Sequence, residues 1–266
     1  MVAPKSGVSS LLAIDVGNTN IVLGLFTGDC LVHRWRVATD SRRMPDEYAV
    51  TIAALFSLAG YDAGDVDAAI IASVVPAVES TLGAAVRTLI GREPVVVSPA
   101  LDSGLKIVYS PASAVGADRI ANAVETLRRY GAPAIVVDFG TATTFDAISK
   151  EGAYVGGAIA PGLEIAQEAL VSRAARLTPV PLVAPPSAVG TTTIGSIQSG
   201  AIYGYAGLVD GLVRRFRSEI GDGAVVIATG GLAEIIAPHA ASVQYVDPDL
   251  TLRGLRLLFE RYHAPA

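Results

Sequence analysis

Laid on itself with Asp15 over Asp138, the chain repeats. Residues 11–26 read LLAIDVGNTNIVLGLF and residues 134–149 read AIVVDFGTATTFDAIS. In each copy four apolar residues lead into Asp-x-Gly, a small polar pair and an alternating stretch. The apolar run predicts a buried strand, Gly17 or Gly140 permits a tight turn, and the alternating stretch predicts a returning strand. Each copy opens a half of similar length with the same later order of elements. That order predicts a duplicated α/β domain with a cleft between the halves.

Further elements fit this scheme. CLVHRWRVA (30–38) predicts a third strand, PDEYAVTIAALFSLAG (45–60) a helix opened by Pro45 and closed by Gly60, and DAAIIAS (67–73) another strand. In the second half, EGAYVGGAIAPG (151–162) and GAVVIATGG (223–231) read as strands ending in glycine turns. TPVPLVAPPSAVGTTT (178–193) reads as an extended loop. Asp247 is expected to cap a last helix from Pro248, with Leu252, Leu255, Phe259 and Tyr262 on one face.

Composition narrows the function. The chain has 266 residues, 51% of them hydrophobic, and 25 acidic against 20 basic side chains for a net charge of −5. It is too apolar to be disordered and too acidic for a nucleic-acid binder. None of the three lysines, Lys5, Lys106 and Lys150, follows a glycine, so the P-loop signature G-x-x-x-x-G-K-[ST] is absent. Cys30 is the single cysteine, which excludes an internal disulfide, and no Cys/His cluster has metal-ligand spacing. A short polar start and no apolar run near the ~20 residues of a membrane span predict a cytoplasmic protein, with neither nucleic acid nor membrane as partner.

Asp15 and Asp138 each end a predicted strand beside a glycine turn carrying Asn18 and Thr19, or Thr141, Thr143 and Thr144. Such a turn offers main-chain N–H groups to phosphate oxygens, and the carboxylate can hold a cation directly or through water. For an isolated Asp-x-Gly, an aspartate that caps its own turn is the better account. The duplication reverses that preference, because two acidic turns suit a nucleotide with its metal. Thr229, Gly230 and Gly231 form a third turn where main chain can approach a flat ligand.

In SAVGADRIANAVETLRRYG (113–131), a predicted helix with Ile120, Ala123, Val124 and Leu127 as its stripe, Asp118 and Arg119 fall in the first turn. Aspartate there suits the helix dipole, whereas arginine opposes it. A carboxylate ligand held by Arg119, with Asp118 accepting a proton from a hydroxyl, accounts for the pair. A surface ion pair accounts for it too. Gly200, Gly204, Gly207 and Gly211 form one stripe of a helix over roughly 196–217. Each costs up to about 1 kcal/mol against alanine, so a close helix neighbour, in this chain or a second subunit, is expected.

These blocks resemble the type III pantothenate kinases, in the superfamily of acetate and sugar kinases, heat-shock chaperone ATPases and actin. The resemblance runs through DVGNTN (15–20), GADR (116–119), VDFGTATTFD (137–146), YVGGAIAPG (154–162), QSGAIYGYAGLVDG (198–211), ATGG (228–231) and LTLRGLRLLFE (250–260). It implies two actin-like ATPase domains of ribonuclease H-like α/β fold, at residues 8–115 and 116–266, with a nucleotide cleft between them. The implied activity is transfer of the ATP γ-phosphoryl group to pantothenate, the first step toward coenzyme A. The resemblance also assigns roles. Asp15, Val16, Gly17, Asn18, Thr19, Asn20, Ile21 and Val22 form the first phosphate loop, and Thr141 is a second ATP contact. Asp118 is the proton acceptor, and Gly116, Ala117, Asp118 and Arg119 line the pantothenate site with Tyr109 and Thr193. Asp138 holds a monovalent cation, potassium or ammonium, required alongside magnesium. A homodimer is implied, the second subunit helping to close the substrate site.

One block departs from that family. Gly-Lys-Asn-Thr usually precedes the glycine-striped helix, and here Gly190, Thr191, Thr192 and Thr193 stand there, with Gly195 for a usual acidic residue. A lost lysine that places the substrate loop would lower affinity, while the acidic residues of the site are all present. A kinase for another small hydroxy acid or sugar, or a silent nucleotide-binding regulator, are the competing readings.

Overall fold

The computed structural model describes residues 9–98 and 101–263. The outermost ends of the two expected domains, residue 8 and residues 264–266, lie outside them. The chain forms two compact units, and the division is interleaved where the sequence offered a single cut at 115/116. The first unit takes the chain through Leu105, Ser110–Glu125 and the segment from Leu250; the second takes Lys106–Tyr109 and Thr126–Asp249.

The first unit is a five-stranded sheet built from β1 (Ser10–Val16), β2 (Asn20–Thr27), β3 (Cys30–Ala38), β4 (Ala68–Ser73) and β5 (Val95–Val96), in the order β3-β2-β1-β4-β5. β1, β2 and β3 are antiparallel neighbours, and β4 and β5 run parallel to β1. Leu12, Ile14, Leu23, Leu25 and Ile71 join a core with Ile52 and Phe56 of α1 (Pro45–Leu58) and Leu82 and Val86 of α2 (Pro76–Ile90). Pro45 opens α1 as expected, with the Met44 N–H donating to the Glu47 carboxylate at 2.7 Å. On the other face, Gly24 pairs with Ala13, and a Cβ at Gly24 would crowd Leu252. That glycine makes room for the late helix α7 (Leu250–Tyr262).

α3 (Ala117–Arg129) starts four residues later than the apolar pattern suggested. It is buried beyond its predicted stripe, Asn122, Glu125 and Thr126 included, so this helix has no broad polar face. Its neighbour is α7: a Cβ at Gly254 would collide with the Ala121 main chain, and Thr251 Oγ1 donates to Asn122 Oδ1 at 2.8 Å. Leu252, Leu255 and Phe259 of α7 are buried as expected, whereas Tyr262 is 59% exposed. Asp247 fastens the approach to α7, accepting from the Asp249 N–H (3.2 Å) and the Tyr130 hydroxyl (3.0 Å).

The second unit repeats the topology with β6 (Ala134–Phe139), β7 (Ala142–Ile148), β8 (Tyr154–Pro161), β9 (Val225–Thr229) and β10 (Tyr245–Val246), in the order β10-β9-β6-β7-β8. Read from β8, this is the first sheet again, with the same antiparallel and parallel pairs. The repeat is not in strict register, however. Asp15 pairs with Val22, but Asp138 pairs with Thr144, so the second turn is one residue shorter. α4 (Leu163–Arg173), the 28-residue α5 (Thr193–Ile220) and the short α6 (Ala233–Ile236) cover this sheet, with Ile202, Val209 and Val213 of α5 packed over Ile135, Val137 and Phe145. Side chains of α5 hold the extended 178–193 segment: Ser199, Tyr203 and Gln198 donate to the carbonyls of Ala188, Pro185 and Pro181. No helix among the described residues is long and apolar enough to cross a membrane.

Candidate active site

In the first unit, site residues gather at the carboxyl ends of the parallel strands β1 and β4, where α/β sheets place ligands. Asp15 is half-buried there, paired with Val22 on one side and Ala72 on the other. The turn that follows is closed by the Gly17 N–H donating to the Asn20 carbonyl at 3.0 Å. Thr39, just past β3, buttresses it: its N–H donates to the Thr19 carbonyl (3.0 Å) and its hydroxyl to that of Gly17 (2.7 Å). Nothing in the sequence pattern singles out Thr39. Asn18 and Thr19 are exposed, while Val16 and Ile21 point into the core, leaving only their main chain to serve a ligand.

The start of α3 joins the same end of the sheet. Val74, following β4, donates its N–H to the Val16 carbonyl at 3.1 Å, and its side chain lies beside Gly116. The Gly116 carbonyl accepts the Ile120 N–H (3.1 Å) and so begins the helix, with Ala117, Asp118 and Arg119 as its first turn. The Asp118 carboxylate folds back against Gly116, where any Cβ would collide with Oδ1. That oxygen is buried and has no hydrogen-bond donor. Burial pushes the Asp118 carboxyl above the usual aspartate range, outweighing the main-chain N–H and the charge of Arg119, which pull it down. A buried acceptor without a donor is costly for the fold, and a carboxylate raised toward neutral pH is a better base. Arg119 is itself only 8% exposed, which removes the surface ion pair as an account of it. Gly116→Ala is expected to displace the Asp118 carboxylate and lower turnover at least tenfold with the melting temperature nearly unchanged, measured by steady-state rates beside thermal melts.

In the second unit the equivalent end of the sheet gathers Asp138, Gly140 and Thr141 with Thr229 and Gly230. Asp138 pairs with Thr229, and Gly230, at φ +91°, leaves the space that the Asp138 carboxylate occupies. The Gly140–Thr141 turn packs against the start of α4, the Gly162 N–H donating to the Thr141 carbonyl at 3.1 Å, with no room for a Cβ at Gly162. Thr141 and Thr144 are partly exposed, but Thr143 is buried. The third turn is thus packed on the second rather than a plain strand-to-helix link.

Tyr109 and Thr193 also belong to this unit. Lys106–Tyr109 lies along β8, the Val108 N–H donating to the Tyr154 carbonyl and the Tyr154 N–H to the Lys106 carbonyl, both at 2.8 Å. Thr193 opens α5 and is exposed, lining a cavity of about 600 Å³ between α4 and α5 with Leu163, Gln167, Leu170 and Tyr205. Thr192, at the departure from the family pattern, is the N-cap of α5, its hydroxyl accepting the Gly195 N–H at 3.1 Å. Threonine there does the capping work that asparagine would do.

No group of three or more His, Cys, Asp or Glu side chains among the described residues could hold a metal alone. A magnesium ion sharing its shell with phosphates and water needs only one or two carboxylates. Asp15 beside its turn fits that requirement, and in the second unit the Asp138 carboxylate, in the space left by Gly230, fits a separate cation.

A solved structure of the same fold is (R)-2-hydroxyglutaryl-CoA dehydratase component A from Acidaminococcus fermentans, at TM-score 0.55, 16% identity and coverage of 95% of this chain and 96% of that one. Duplicated sheets in this order, with an acidic glycine turn in each, are a two-domain α/β fold of the actin-like class. The family model described as type III pantothenate kinase matches residues 11–215. Curated relatives carrying that name include one from Thermomicrobium roseum, 53% identical over 95% of this chain and 98% of its own length. Another, from Moorella thermoacetica, is 49% identical over 94% and 99%. The chain belongs to the type III pantothenate kinase family.

Proposed function

We propose that this enzyme transfers the γ-phosphoryl group of ATP to the primary hydroxyl of pantothenate, the first step of coenzyme A synthesis, in the cytoplasm. The observation that carries the reading is Asp118: a buried carboxylate oxygen without a donor, at the head of the Gly116–Arg119 turn, in a chain of this family. The pantothenate oxygen attacks the γ-phosphorus in line, its proton passes to Asp118, and the bond to the bridging oxygen of ADP breaks. The turn from Asp15 to Val22 and Thr141 hold the phosphates, and Arg119 orients the pantothenate carboxylate, with Tyr109 and Thr193 as further contacts. Bound magnesium supplies charge neutralisation on the phosphates, and Asp138 is assigned the potassium or ammonium ion. Positioning and charge stabilisation then carry most of the acceleration.

ATP consumption with and without pantothenate, in potassium, ammonium and sodium buffers, tests this. Pantothenate-dependent ADP release that needs potassium or ammonium is expected. Turnover indifferent to pantothenate would overturn the substrate assignment, and equal rates in sodium would overturn the role given to Asp138.

The reading includes a homodimer. Added Cβ atoms at Gly200, Gly204, Gly207 and Gly211 would meet nothing within 4 Å, so the stripe has no close neighbour among the described residues. The nearby Ile165, Leu170, Val189 and Ile194 are exposed as well. Gly204→Leu is therefore expected to leave the subunit folded and convert a dimer into monomer, read by sedimentation. An active monomer in the unsubstituted protein at assay concentration would count against the dimer.

A further inference from the structure

We propose that the buried Asp146–Tyr154 pair is a positioning device for Tyr109. The proposal rests on the reading that Tyr109 contacts pantothenate. Asp146 on β7 and Tyr154 on β8 are both fully buried, and the Tyr154 hydroxyl donates to Asp146 Oδ1 at 2.7 Å. A buried carboxylate in a sheet is expensive, and phenylalanine fills comparable space at Phe139 and Phe145 of the same sheet. The polar pair therefore calls for a role beyond packing. A charge-assisted O–H···O bond fixes the tyrosine ring in rotation and depth, which apolar packing alone does less sharply.

What that ring supports is the substrate segment. Both main-chain groups of Tyr154 bond Lys106–Tyr109, and the Tyr109 ring stands edge-on to the Tyr154 ring, with centroids 6.3 Å apart and planes at 69°. Gly156 also lies against Tyr109, its α-carbon face beneath the ring's Cδ2, where a Cβ would stand at 3.7 Å. Gly156 has φ +136° and sits at the irregular pairing between β7 and β8, a left-handed position that favours glycine. Tyr109 thus rests on a floor of one anchored ring and one bare main chain. Asp146 acts two residues removed from the substrate, through Tyr154 and then Tyr109.

Steady-state kinetics on the full-length protein test this with Tyr154→Phe, Asp146→Asn, Tyr109→Ala and the Tyr154→Phe/Tyr109→Ala double variant, each with a thermal melt. Tyr154→Phe is expected to raise the pantothenate KM about tenfold, below the ~10²-fold reached by an ångström-scale misplacement, and to leave the ATP KM unchanged. Asp146→Asn, which still accepts from the hydroxyl, is expected to recover most of the affinity. In the Tyr109→Ala background, Tyr154→Phe should add nothing. Additive effects in the double variant, or lowered melting with both KM values unmoved, overturn the positioning role. A Tyr109→Ala variant with wild-type pantothenate KM overturns the contact assigned to Tyr109 and the proposal with it. Should Tyr154→Phe fail to fold, Asp146→Ala carries the same test, and an unchanged pantothenate KM there overturns the proposal.

Discussion

Asp118→Asn is expected to cut turnover about 10²-fold while the ATP KM stays near its wild-type value. General-base assistance is worth roughly 10²- to 10⁴-fold, and the loose transition state of phosphoryl transfer, with the acceptor oxygen little bonded, favours the lower end. Asparagine keeps the shape that Gly116 accommodates but cannot take the proton. Two pH-dependent signatures accompany the loss. Because burial raises the Asp118 carboxyl, the acid limb of the wild-type rate profile should lie above the ordinary aspartate value of 3.8, and it should vanish in the variant. For stability, a raised folded-state pKa contributes below the unfolded value and is lost as pH rises through the folded one. At neutral pH the wild type therefore bears the burial of a charge, and Asp118→Asn should melt higher. A variant with undiminished turnover and a raised pantothenate KM would make Asp118 a binding group instead.

Asp15→Ala is expected to lower turnover by on the order of 10³-fold, a scale typical of losing one preorganised electrostatic contact to the reacting group. The fold should survive, because the hairpin is closed by other groups: the Gly17–Asn20 main-chain bond and the two bonds from Thr39. Equal melting temperatures with a collapsed rate at saturating magnesium would place Asp15 in the metal–phosphate assembly. A near-normal rate would return it to turn capping.

The parts of this design that were legible in the sequence are those in which one residue type does a local job. Asp-x-Gly at the end of an apolar run gave both acidic turns, because strand, aspartate and permissive glycine are adjacent in the chain. Gly116 to Arg119 was legible in part, as a first helical turn with an arginine where the dipole disfavours one, although the helix itself begins four residues later than the pattern suggests. Features decided by distant neighbours were not. Alternation in a return strand tolerates a slip of one residue, so the shorter second turn stayed hidden. The stripe of α3 read as one-sided because Asn122 and Thr126 look like solvent-facing residues, and Asn122 is instead met by Thr251, far along the chain. Tyr262 continued the apolar spacing of α7 past the point where anything covers it. Lys106–Tyr109 carries strand formers in Ile107, Val108 and Tyr109 but is a run of only four residues shortly before Pro111, and its order comes from Tyr154 at the edge of β8.

The packing of α7 onto the first sheet has a consequence for synthesis. The chain emerges from its amino terminus, and Gly24 and Ala121 wait for Leu252 and Gly254, which are made only after every residue of the second unit. The unit begun first is finished last, so its β1 face lacks its cover throughout translation of residues 126–249. A nonsense mutation shortly before residue 250 would release a chain whose second unit is whole and whose first sheet has one naked apolar side. Such a fragment would fail by aggregation through its earliest strands, far in sequence from the lesion.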